Sequence, residues 1–167
     1  MSNVGAVLVN SELTIESGLS NNGTIDVGSS SLIVNDAVTL TGTGSIQFSG
    51  GFSESIVSSD FLNGDNGVAD VLTIADGASQ IISGDGGISS DVTIINNGGL
   101  SIGAGPVGLA TRLENNSLFI IQDGGELEVL SSGRIVGGTL ETQGSGCLLY
   151  TSPSPRDRTR SRMPSSA

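Results

Sequence analysis

One phrase recurs along this chain. Asn21-Asn22-Gly23-Thr24-Ile25-Asp26-Val27-Gly28 returns as Asn96-Asn97-Gly98-Gly99-Leu100-Ser101-Ile102-Gly103, and a looser copy opens at Asn115-Asn116-Ser117-Leu118. A second phrase, Leu13-Thr14-Ile15-Glu16-Ser17-Gly18, returns as Leu72-Thr73-Ile74-Ala75-Asp76-Gly77, with a stretched version at Leu118–Gly124. A β-branched run closed by a polar-glycine corner, repeated many times, is the mark of stacked β repeats.

The strands it implies are short and alternate cleanly: Thr24–Val27, Ser31–Val34, Val38–Leu40, Ser45–Phe48, Val92–Ile94, Leu100–Ile102 and Glu126–Val129. Glycine recurs too often between them for a long helix. The chain is therefore expected to be all-β. Two architectures fit: a right-handed parallel β-helix, and a β-sandwich as the alternative. A sandwich favours longer strands and aromatic anchors. Here there is no Trp, and four Phe stand among many Ile, Val and Leu, which stack well on themselves. The β-helix is the primary expectation, with about six or seven coils of roughly 20 to 25 residues. The corners Asn21, Asn22, Gly23, Asn96, Asn97, Gly98, Asn115 and Asn116 are expected to adopt left-handed backbone, and their amides to ladder between coils. Ser53 to Asp70 breaks the rhythm, and Asp60–Gly67 within it reads as a loop extruded from one coil.

Composition changes abruptly near Gly146. All 26 Gly precede Cys147, whereas four of six Arg, three of four Pro, and the single Cys and Tyr follow Gly146. The expected organisation is a repeat segment over 1–146, incomplete at its C-terminus, and a disordered tail over 147–167. An Arg/Ser/Pro run can also be a nucleic-acid-binding arm or simply an unstructured terminus. A third reading is a resemblance. Cys147–Asp157 looks like a translated transposon-type sequencing adapter, and Ser161–Ala167 looks like its flow-cell end. On that reading the tail is foreign to the fold, and Met1 is open to being an internal methionine.

Charge narrows function. Residues 1–146 carry 16 acidic side chains against Arg112 and Arg134 alone. Such a segment is not expected to bind nucleic acid or anionic membranes. It has no Cys, hence no disulfide framework, no apolar run long enough to span a membrane, and no basic start typical of a signal peptide.

Individual sites are sparse. Asp60, Asp65 and Asp70 sit near Asn63 and Asn66, oxygen donors of the kind Ca²⁺ accepts, although the order matches no calcium loop; solvated loop residues are the plainer reading. No other cofactor is expected. A polysaccharide lyase needs a strong base and cations, and the segment has no Lys and no His. A glycoside hydrolase needs two carboxylates, for which Glu126 and Glu128 on one strand, after Asp123 at a corner, are candidates beside the simpler reading of a solvated face. Gly103–Gly108 is a turn rather than a dinucleotide loop, since no helix pattern follows it. Serine is abundant, but no histidine exists to activate it. Asn22-Gly23-Thr24 and Asn115-Asn116-Ser117 fit glycosylation acceptors.

The phrases Asn21–Gly28, Val38–Ile46 and Gly137–Thr142 resemble the β-strand repeat regions of large bacterial surface and secreted proteins, namely autotransporter passengers and filamentous, haemagglutinin-like adhesins. The resemblance implies an extracellular or cell-surface location and a non-enzymatic structural or adhesive stalk, packed against neighbouring coils and facing a host or environmental surface. It carries over no catalytic residue. The alternative is part of a carbohydrate-active β-helix, a glycosidase or tailspike-like protein, with its catalytic coils outside these residues.

Overall fold

The computed structural model describes residues 1–51, 55–60 and 70–151. They form a parallel β-solenoid in which each turn of chain lays down three short strands. The first rung is β1 (Ser2–Asn3), β2 (Ala6–Val9) and β3 (Leu13–Ile15), and the second is β4 (Gly18–Asn21), β5 (Thr24–Val27) and β6 (Ser31–Val34). The third follows as β7 (Ala37–Thr41), β8 (Thr43–Phe48) and β9 (Ser55–Ser58), the fourth as β10 (Asp70–Ile74), β11 (Ser79–Gly84) and β12 (Gly86–Ile88). The fifth is β13 (Val92–Asn96), β14 (Gly99–Ile102) and β15 (Gly105–Leu109). The last two are β16 (Arg112–Asn115), β17 (Leu118–Ile121) and β18 (Gly125–Val129), then β19 (Arg134–Val136), β20 (Thr139–Thr142) and β21 (Cys147–Tyr150).

Strands three apart in the chain pair with each other, giving three seven-stranded sheets. Every pairing is parallel, which decides for the solenoid over the sandwich. Register sets the coil length. It runs from the 18 residues between the partners Ser2 and Ser20 to the 24 between Ser31 and Ser55. One coil is longer: Thr43 pairs with Ser79, 36 positions on, and this turn carries the insertion. Six steps of about 4.8 Å make the stack about 29 Å tall.

All seven strand segments expected from alternation lie within strands. Two expectations need correction. The rhythm is broken over less than Ser53–Asp70: Ser55–Ser58 is β9, in register with β6, and Asp70 begins β10, while of the expected loop Asp60–Gly67 only Asp60 is among the described residues. Residues 61–69 lie outside the described residues. Cys147–Tyr150 also departs from the expected tail: it is β21, paired with β18 in continuation of the third sheet. The physical reason is templating, because β18 offers a row of backbone donors and acceptors to whatever β-competent residues come next. Residues 152–167 lie outside the described residues.

The core consists of columns along the stacking direction. Val7, Ile25, Ile46, Ile82, Ile102 and Ile121 succeed one another on consecutive rungs of the second sheet, and Val38, Leu72, Ile94, Leu113 and Ile135 do so in the first. Side chains of one shape stack without voids, and each fully buried one contributes on the order of 1.5–3 kcal/mol. Phe119 and Phe48 are the bulky exceptions. Phe48 shows how such a ring is accommodated. Its successors are small: a Cβ at Gly84 would meet its carbonyl oxygen at 1.9 Å, and a Cβ at Gly86 would meet its ring at 2.4 Å. Gly84 also has a φ of 92°, so the position excludes other residues twice over.

Candidate functional site

The Asn-Asn phrase marks one corner of the solenoid, the bend from the first sheet into the second. Its first asparagine points inward, as does Asn3, a single asparagine at the same corner of the first rung. Asn3, Asn21, Asn96 and Asn115 are buried, and Asn3 with Asn21 and Asn96 with Asn115 are register partners. The Asn3 amide donates to Asn21 Oδ1 at 2.9 Å and to the Thr24 carbonyl at 3.2 Å. Asn96 repeats the arrangement, donating to Asn115 Oδ1 at 2.7 Å and to the Leu118 carbonyl at 3.0 Å. Each amide thus ties its rung to the next rung twice, inside the protein where hydrogen bonds are strongest.

Between these segments the ladder is interrupted. The third rung places Gly42 and Gly44 at the corner, and the fourth places Ile74 there. Gln80, fully buried on β11, fills the gap. It stacks on Gly44, its register partner, and reaches past it: Asn21 Nδ2 donates to Gln80 Oε1 at 3.0 Å. Gln80 Nε2 lies within donating distance of the carbonyls of Asn21, Thr41 and Gly42, at 3.0–3.3 Å. Sequence reading missed Gln80. The signal was present, since alternation from Ile82 sets Gln80 at an inward position. Asn96 pays for the break, because its partner one rung below is Ile74 and its Oδ1 is left without a donor.

The second asparagine of the phrase faces solvent. Asn22, Asn97 and Asn116 are exposed, and Asn116 Nδ2 donates to Asn97 Oδ1 at 2.9 Å in an outer ladder. Of the two glycosylation triplets, only the one at Asn22 presents its amide to solvent; Asn115 is fully buried. The expected left-handed backbone is not found at any of the eight corner residues, and lies instead at Asp36 and at other glycines. Gly23 and Gly98 serve close approach: a Cβ would sit 1.9 Å from the Gly5 carbonyl oxygen or 2.3 Å from that of Ala75.

Of the calcium candidates, Asp65 lies outside the described residues. Asp70 is buried at the start of β10, and its carboxylate accepts from the Asp36 backbone N–H, the Ser58 and Ser59 hydroxyls and the Asp60 backbone N–H. Asp60 joins through that N–H, which also points at Ser58 Oγ at 3.0 Å. This is a clasp across the insertion, joining its two ends to the preceding corner. Among the described residues no group of three or more His, Cys, Asp or Glu is placed to hold a metal ion.

Outward-facing charge concentrates at the corners, with Asp26, Arg112, Glu114, Glu126, Glu128, Arg134 and Glu141 as the exceptions on strands. Glu12, Glu16, Asp36, Asp76, Asp85, Asp91 and Asp123 occupy corners, whereas outward strand positions are mostly Thr, Ser, Gly and aliphatic residues. Glu126 and Glu128 share the outer face of β18, as alternation requires, beside Pro106 and Gly108 of the rung below. Asp123 is apart from them at its corner, where the Ser145 backbone N–H and hydroxyl both donate to its Oδ1, at 2.8 and 2.7 Å. Among the described residues no helix is long and apolar enough to cross a membrane. No protein-family model, curated protein or solved structure matches this chain.

Proposed function

We propose that this chain is a non-enzymatic rod segment of a secreted or cell-surface repeat protein, a stalk whose flat faces lie against a host or environmental surface. The observation that carries the reading is the unbroken aliphatic column of the second sheet, from Val7 to Ile121, inside three continuously paired parallel sheets. Such a stack resists bending because each rung is bonded along three faces at once, and stability accumulates through neighbouring rungs. The charge pattern supports the same reading. Corner carboxylates keep rods apart in solution, and the mostly polar, sparsely charged strand faces are left free for adhesion.

The test is a turnover assay against a panel of neutral and acidic polysaccharides. The rod reading expects retention on coated surfaces without release of reducing ends. Release that disappears in an E126Q/E128Q variant would overturn it in favour of a carbohydrate-active protein.

A further inference from the structure

Residues 1–146 contain only two basic side chains, and the fold sets them opposite each other. Arg112 on β16 and Arg134 on β19 are register partners on the outer face of the first sheet, while the adjacent Leu113 and Ile135 pack on the core. Like charges opposed across strands are destabilising, and no core packing requires them there. Arg112 Nε lies 2.6 Å from Glu114 Oε1, an ion-pair contact outside hydrogen-bond alignment. Arg134 is exposed and has no ion-pair partner among the described residues. One positive charge is therefore left over on this face of an acidic chain.

We propose that Arg112 and Arg134 bind the carboxylate of a uronate sugar carried by an otherwise neutral glycan. Two guanidinium groups at a strand spacing of about 4.8 Å offer forked donors to the two oxygens of one carboxylate. A densely charged polymer is disfavoured, because the chain carries a net charge of −11 and repels polyanions over its whole surface. An acidic peptide is disfavoured for a different reason. Extended peptides bind by adding a strand to a free edge, and β16 has both edges occupied, by β13 and β19. What the face offers is a flat surface with the hydroxyls of Thr73 and Thr93 on the rungs before β16, suited to a polyhydroxylated ligand.

The proposal rests on the adhesive reading above and is tested separately from it. The full chain, ¹⁵N-labelled, is titrated with a neutral oligosaccharide ending in one glucuronate, with its methyl ester, and with a tripeptide of matching charge. The acid is expected to shift amides of β16 and β19. The ester is expected not to, R134Q to weaken binding about tenfold through loss of a charge-assisted hydrogen bond, and E114Q to strengthen it. Equal binding of ester and acid, an unaltered R134Q, or equal binding of the tripeptide would each overturn the site. A change in the oligosaccharide's mass would sink the rod reading while leaving the site standing.

Discussion

Asn21 and Gln80 are 59 residues apart in the chain, yet Asn21 Nδ2 donates to Gln80 Oε1 at 3.0 Å. The bond spans two rungs, from the second to the fourth, and it exists because Gly42 and Gly44 place no side chains between. A Cβ at Gly44 would fall 2.5 Å from the Asn21 amide. Two glycines and one long amide thus replace an asparagine that the third rung lacks.

Replacing Gln80 by Leu keeps the volume and removes every polar bond. It leaves Asn21 Nδ2 with the Ser45 carbonyl alone and takes the shared donor from three carbonyls, of which that of Asn21 is buried and those of Thr41 and Gly42 are partly so. The expected loss is about 3 kcal/mol, read as a shift in urea midpoint. A loss under about 1 kcal/mol would mean that the glutamine is a filler and the bonds are incidental.

The inner and outer asparagines of one dipeptide should behave oppositely. Asn115→Ala removes a buried donor to the Thr139 carbonyl and the acceptor for Asn96, whose amide loses its better partner; about 2 kcal/mol is expected. Asn116→Ala, on the solvent side, should stay within about 0.5 kcal/mol. Thermal melts of the two single variants decide it, and equal effects would contradict the ladder.

This asymmetry shows what could be read in the sequence. The Asn-Asn phrase was a true corner mark, since its copies at 21, 96 and 115 all fall at the same bend, although the register carries Asn96 down to Leu19 rather than to Asn21. The Leu-Thr-Ile phrase was not: Leu13–Ile15 is in the third sheet and Leu72–Ile74 in the first, so it encodes a strand and a corner without saying which. Alternation gives inward and outward facing directly, and placed the strands. It does not give the distance across the stack, so neither Gln80 nor the serines that clasp Asp70 could be paired with their partners. Backbone angles were misassigned for a related reason. Gly23 is required by the rung beneath it, a constraint that local turn chemistry does not contain.

Phe48 and Gly86 should be coupled. In Gly86→Ala the new Cβ meets the Phe48 ring at 2.4 Å, and overpacking of about 2 kcal/mol is expected. Phe48→Leu makes room at its own cost. In the double variant the alanine should cost much less than it does alone, a coupling measurable in a double-mutant cycle. Additive effects would show that the ring and the glycine do not share one space.

Asp123 gives the pH dependence. The Ser145 backbone N–H, then its hydroxyl, hold this exposed carboxyl below its ordinary value of 3.8; desolvation opposes them, and the Gly124 N–H adds the least. The folded value lies below the unfolded one, so the corner's contribution is present above about pH 4 and is lost as pH falls through the folded value. Carboxyl ¹³C titration of Ser145→Ala should move Asp123 upward toward 3.8. No movement would leave the depression to the backbone N–H groups of Ser145 and Gly124 and take the hydroxyl out of it.

Asp70 separates clasp from metal ligand. Both of its oxygens accept from protein donors, so Asp70→Asn, which presents an amide N–H to some of those donors, should destabilise by about 2–3 kcal/mol, close to Asp70→Ala. A calcium ligand would predict a further effect, because a cation bound only by the folded chain raises its melting temperature. With its lone pairs already engaged, Asp70 should support no such rise, and millimolar calcium should leave the melting curve of the unsubstituted chain in place. A rise that vanishes in Asp70→Asn would show instead that the carboxylate exchanges its hydroxyl donors for the ion.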